Sequence, residues 1–234
     1  MPWNKGFTKE THPSVLKISQ TIRLKKIDNF ASWRNNLKLS GKIPDCDSPF
    51  PESSELAEYI GVVLGDGNIS NFPRTERILI VGDLNKMGFI KHYAKLTEAI
   101  FRKKPSVGFI KNTNAVRISL YQKNISQRLG IPTGNRSNLK FNVPNWITNN
   151  EVFIVKFIKG LFEAEGSLSI HKKTYTYNFQ FSNKNNSLLK IVKDTLILLG
   201  YHPEVRYNSI RLRKKLEVER FKNLIEFRSF DNAG

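Results

Sequence analysis

Tyr59-Ile60-Gly61-Val62-Val63-Leu64-Gly65-Asp66-Gly67 and Ile158-Lys159-Gly160-Leu161-Phe162-Glu163-Ala164-Glu165-Gly166 share one skeleton. Each has a small residue, a second small residue four positions on, an acid, and then glycine. Residues four apart lie on one face of a helix, so Gly61 with Gly65 and Gly160 with Ala164 would let two helix backbones approach closely. A mid-helix glycine costs about 1 kcal/mol relative to alanine, which calls for a packing reason; the pattern predicts that the two helices pack on each other. Asp66 and Glu165 then stand at helix carboxyl ends, where the macrodipole is negative and unpaired carbonyls gather. Two carboxylates brought together there repel, and a divalent cation such as Mg2+ relieves both problems because carboxylate and carbonyl oxygens are its ligands.

Working outward, each pattern heads the same series of elements. Ser53 or Ser54 caps the first helix. A strand-like run at Arg77–Val81, a helix over 85–102, strands at Ser106–Lys111 and Ala115–Tyr121 around Asn112-Thr113-Asn114, and a short helix at Asn124–Leu129 follow. In the second copy Asn149 or Asn150 caps the helix. A hairpin containing Leu168, Ile170, Tyr177, Phe179 and Phe181 on one face comes next, then a helix over 186–199. Val205–Tyr207 and Ile210–Arg213 flank Asn208-Ser209, and a basic helix runs to about Phe227. The chain is therefore read as α+β, an αββαββα unit used twice with antiparallel sheets, with repeats at 51–144 and 145–234. Residues 1–50 form a basic extension holding one helix near Pro13–Arg23 and a proline-punctuated linker.

Composition narrows the function. The 234 residues carry 38 Lys+Arg and 20 Asp+Glu, a net charge of +18. The excess is spread along the chain, with 9 basic and 4 acidic residues in 1–50, 14 and 7 in 51–144, and 15 and 9 in 145–234. A body positive throughout attracts polyanions, nucleic acid first among them. Cys46 is the single cysteine, so neither an intramolecular disulfide nor a cysteine zinc site can form. No apolar run approaches the roughly 18 residues of a membrane span, and the N-terminus lacks a signal-type apolar segment, so an intracellular protein is expected.

At these paired motifs the sequence resembles the LAGLIDADG homing endonuclease family in its single-chain, two-motif form, over residues 53 to about 228. The resemblance implies two pseudo-twofold related repeats whose antiparallel sheets form a saddle over duplex DNA, and cleavage of both strands with divalent metal ions, Mg2+ or Mn2+. It implies Asp66 and Glu165 as metal-binding carboxylates, with the Gly65 and Ala164 carbonyls as further ligands. Ser182-Asn183-Lys184-Asn185 looks like the segment that supplies a basic active-site residue, which makes Lys184 the catalytic candidate. The first repeat departs there, reading Gly82-Asp83-Leu84-Asn85. Phosphodiester hydrolysis needs an activated water and a stabilised leaving oxygen, both within the reach of metal ions and carboxylates, with no histidine required; His92 and His202 are read as structural or solvated.

For DNA contact the strands' polar faces and ends offer Arg74, Arg77, Lys111, Arg117, Ser119, His171, Asn178, Gln180, Arg206, Arg211 and Arg213, since Arg suits guanine edges and Asn or Gln adenine. Tyr175 and Tyr177 fit either core packing or base contact. Trp3-Asn4-Lys5-Gly6-Phe7-Thr8-Lys9-Glu10-Thr11 and the helix after it look like a short modular DNA-binding motif of the kind attached to homing nucleases. The expected partner is a long specific site on double-stranded DNA, engaged by a monomer that contacts no membrane. Two other readings use the same fold: an intron RNA maturase and a non-cleaving DNA-binding regulator. Retention of an acid at both motif ends favours the nuclease.

Overall fold

A computed structural model describes residues 2–135 and 140–232. The chain divides into two compact units, 1–45 and 46–234. The first holds α1 (Pro13–Leu24) and α2 (Ala31–Leu39). The α1 start is set by the His12 ring, which accepts from the Ser14 amide, and by Pro13, whose missing N–H costs nothing in a first turn. The second helix was not expected from the sequence. It is initiated by Asp28, which accepts from the Phe30 amide at 3.1 Å and pairs with Arg34. Neither helix buries a residue, which is why periodicity gave so little warning of α2.

The second unit carries both repeats. In the first, α3 (Ser54–Asp66) leads into β1 (Gly67–Phe72), β2 (Thr75–Asp83), α4 (Met87–Phe101), β3 (Ser106–Phe109), β4 (Ala115–Gln122) and α5 (Ile125–Leu129). A short α6 (Asn145–Thr148) precedes the second copy: α7 (Glu151–Glu165), β5 (Gly166–His171), β6 (Thr176–Ser182), α8 (Asn186–Leu198), β7 (Glu204–Arg206), β8 (Ser209–Leu212) and α9 (Lys215–Leu224). The sheets are antiparallel with matching orders, β1-β2-β4-β3 and β5-β6-β8-β7. Expectation and structure differ at β1, whose Asn68, Ser70 and Asn71 are poor strand formers; it is held by its ladder with β2.

The core is built around α3 and α7. Ser53 Oγ accepts from the Leu56 amide, and Asn150 Oδ1 accepts from those of Val152 and Phe153, so both N-termini are capped by their own sequence. From Leu56 to Gly65 every α3 residue is buried, Glu58 being the one charged side chain among them, held by its bond to His92. A methyl group on Gly61 would lie 2.2 Å from the Phe157 carbonyl oxygen, and one on Gly160 would lie 2.1 Å from that of Glu58. The two backbones touch, and only glycine permits it. Gly67 and Gly166 end the helices in extended conformation, not the left-handed one common after helices. They are required because a side chain would strike the preceding turn at Val63 and Phe162.

Candidate active site and nucleic-acid interface

The glycine contact brings the acid-bearing helix ends together. A methyl group on Gly65 would fall 2.2 Å from Ala164 Cβ and 3.5 Å from Glu165 Cγ. Gly65 is buried, and Ala164, Asp66 and Glu165 are half-buried. The Gly67 amide donates to Val63 O and the Gly166 amide to Phe162 O, so the Gly65 and Ala164 carbonyls belong to last turns, where intrahelical donors run out. The donor set is all oxygen: two carboxylates and helix-end carbonyls. Among the described residues no group of three or more His, Cys, Asp and Glu side chains gathers. Such hard oxygen donors fit Mg2+ or Mn2+ and suit soft metals poorly.

Around this pair, Asn183 Nδ2 donates to Glu165 Oε1 at 3.0 Å. The Asn183 side chain also accepts from the Asn185 amide at 2.8 Å, and Asn185 in turn caps α8. Lys184, between them, is exposed and carried by this two-asparagine loop. The residue on the acid is thus Asn183, the neighbour of the lysine that the sequence singles out. In the first repeat Asp83 repeats the local turn, accepting from the Asn85 amide at 2.8 Å. Burial, then the negative charges of Glu58 and Glu163 with a smaller push from Asp66, raises the Tyr93 phenol well above its ordinary value.

The sheets' core-facing sides are apolar, through Ile69, Ile78, Ile80, Val116, Ile118 and Leu120 in one and Phe179, Phe181, Ile210 and Leu212 in the other. Period-two alternation places Asn68, Ser70, Arg77, Arg117, Ser119 and Tyr121 on the opposite face of the first, and Ser167, Ser169, His171, Asn178, Gln180 and Arg211 on that of the second. Arg206 shares that face on the edge strand β7. Arg74 and Lys111 are exposed in the turns of their hairpins, and Arg213 follows β8, so these three lie beyond strand ends. Tyr177 packs in the core, whereas Tyr175 is exposed at the β5–β6 turn. His92 bonds Glu58 at 2.7 Å and His202 bonds Glu217 at 2.9 Å.

Two features of these faces escaped the sequence. Ser70 pairs with Arg77 in register, and Ser169 with Asn178, so Arg77 and Asn178 occupy equivalent positions. Arg77 Nε and Asn178 Oδ1 are both buried without a hydrogen-bond partner. The second is Glu204, directly opposite Arg211, which accepts from Arg211 Nε at 3.1 Å and pairs with Arg206 at 3.5 Å.

Residues 152–232 match the family model of the LAGLIDADG-like domain. No curated protein matches the chain in sequence. Among solved structures, the homing endonuclease I-WcaI bound to its DNA recognition sequence is 16% identical with a TM-score of 0.58, over 87% of this chain and 91% of that one. The homing endonuclease I-DmoI in complex with DNA and Mn is 19% identical with a TM-score of 0.51, over 74% and 96%. An I-DmoI variant has been solved with its target DNA in the presence of Mg. The N-terminal LAGLIDADG domain of WhiA is 14% identical with a TM-score of 0.51, over 77% and 87%.

Proposed function

We propose, on the premise that residues 152–232 are a LAGLIDADG-like domain and that the two-repeat fold is that of the LAGLIDADG homing endonucleases, that the protein is a site-specific double-strand DNA endonuclease. The observation that carries this reading is the meeting of the two acid-bearing helix ends, Gly65 against Ala164 and Glu165, in a chain of net charge +18. A strongly basic protein that only bound nucleic acid would gain nothing from an acid at each of two adjoining negative helix ends.

Asp66 and Glu165, with the Gly65 and Ala164 carbonyls, would hold Mg2+ or Mn2+. Bound there, a divalent ion lowers the pKa of a water and stabilises the leaving oxygen of a phosphodiester. The protein's own groups orient and place. Asn183 donates to Glu165 Oε1 and so orients that carboxylate. Lys184, exposed on the adjoining loop, supplies a positive charge to the substrate backbone. The outer faces of the sheets present Arg, Asn, Gln and Ser side chains to base edges, while Arg74, Lys111 and Arg213 at the strand ends suit phosphates. I-WcaI and I-DmoI, bound to DNA in their solved structures, support this use of the fold. One chain supplies both half-sites, so a monomer is expected. The separate unit 1–45, with its aromatic cluster of Trp3, Phe7 and His12, is assigned a second DNA contact that lengthens the recognised site.

Incubating the protein with a randomised duplex library in Mg2+ or Mn2+ and sequencing the cut ends tests this. Recovery of one target of about 20 base pairs is the expected result. Duplex binding with no cut in either metal sinks the nuclease, and tight binding to intron RNA alone would install the maturase in its place.

A further inference from the structure

We infer that Arg228, on the segment after α9, is a positioning residue for the second motif: it fixes the chain on both sides of Glu165 and so sets that carboxylate for metal binding. This rests on the nuclease reading of the same site.

The segment is built against local preference. Ile225 and Phe227 are buried in the core, and the alternate residues Glu226 and Arg228 have φ of +49° and +54°. The left-handed region is unfavourable for a residue with a side chain, so tertiary contacts must hold both. Those contacts are specific. Glu226 pairs with Lys159 at 3.2 Å and Lys156 at 3.7 Å, both on α7, and Lys159 is buried. The Arg228 amide donates to Glu163 Oε1 at 2.6 Å, and Arg228 Nη2 donates to the Gly166 carbonyl at 3.3 Å. Glu163 and Gly166 bracket Glu165. Two residues after Arg228, Phe230 stacks on His92 of α4 with ring centroids 4.9 Å apart and 14° between planes. A single segment therefore clamps the end of the second motif helix and rests its tip on the first repeat. Residues that orient metal ligands without touching the metal commonly cost 10–100-fold in metal affinity or activity when lost.

Arg228→Ala removes the guanidinium and leaves the amide bond to Glu163. In the full-length protein, the Mg2+ concentration giving half-maximal cutting of the target duplex should rise about tenfold or more. Duplex affinity in EDTA and the melting temperature should stay near wild type, and Arg228→Lys should restore part of the metal response. A merely structural role would move the melting temperature and not the metal dependence. A folded Arg228→Ala protein with wild-type Mg2+ dependence and rate overturns the inference. If that variant does not fold, Arg228→Gln, whose amide ends short of the Nη2 position and so loses the bond to the Gly166 carbonyl while keeping a polar side chain, is read by the same two results. A wild-type protein that cuts nothing refutes the nuclease reading itself.

Discussion

At the scale of single residues, two glycines decide whether the fold can form. Alanine favours a helix over glycine by about 1 kcal/mol, so on propensity alone Gly61→Ala and Gly160→Ala should stabilise the protein. The contact geometry says otherwise, since each new methyl would meet a backbone carbonyl oxygen, which cannot swing aside. Overpacking of this kind costs about 1–3 kcal/mol or more, so both variants should melt several degrees lower; a rise in melting temperature would mean that the helices do not touch there. Arg77 and Asn178 carry a prediction of a different kind. An orphaned buried polar atom costs about 1–3 kcal/mol, a cost that bonding to a base edge would relieve. Their equivalent registers predict that Arg77→Ala and Asn178→Ala each relax discrimination at one base pair, the two lying at matching distances from the cut centre in opposite half-sites. Cleavage profiles over singly substituted targets check this, and unchanged profiles contradict it. The glycines and acids were legible because their spacing is local. Asn183 was not, because its importance comes from Glu165, 18 residues earlier, which only tertiary structure brings to it.

At the scale of elements, the helices with an apolar periodicity and the hairpins with alternating residues were legible, while β1 and α2 were not. The residues of β1 have low strand preference and are recruited by pairing with β2; α2 is started by a single side chain, Asp28. The β7–β8 pair adds an acid to a surface otherwise suited to DNA. Glu204→Gln removes one negative charge, so affinity for random duplex should rise, with a salt slope steeper by about one unit. It also releases Arg211, so preference for the specific target over random duplex should fall. Binding titrations at two salt concentrations separate these effects, and a gain in both affinity and preference would contradict the positioning of Arg211 by Glu204. The α3–α4 packing sets a limit at high pH. Burial raises the phenols of Tyr59 on α3 and Tyr93 on α4 above the ordinary 10.0. The unfolded chain therefore ionises first, and the stability these groups contribute is intact below about pH 10 and lost above it. Melting temperatures from pH 8 to 11 should be level and then fall; a curve still level at pH 11 contradicts the burial of both hydroxyls.

At the scale of the whole molecule, the sequence already carried two repeats, a charge of +18 spread through all segments, and paired acids. These lie in composition and repetition, which need no tertiary information. The return of the chain after α9 was not legible, because its conformation is imposed by Lys159, Glu163 and Gly166 against local preference. The 1–45 unit is expected to act as a tethered module; its removal should leave cutting chemistry intact, shorten the protected footprint and weaken target affinity. An unchanged footprint would reduce that unit to a basic appendage. The most direct measurement of the central claim compares wild-type protein with Asp66→Asn and Glu165→Gln, each shown to bind the target duplex in EDTA, for Mg2+-dependent cutting. Loss of double-strand cleavage in both variants with duplex binding retained is the predicted result. Full cleavage by either variant would contradict the joint metal site.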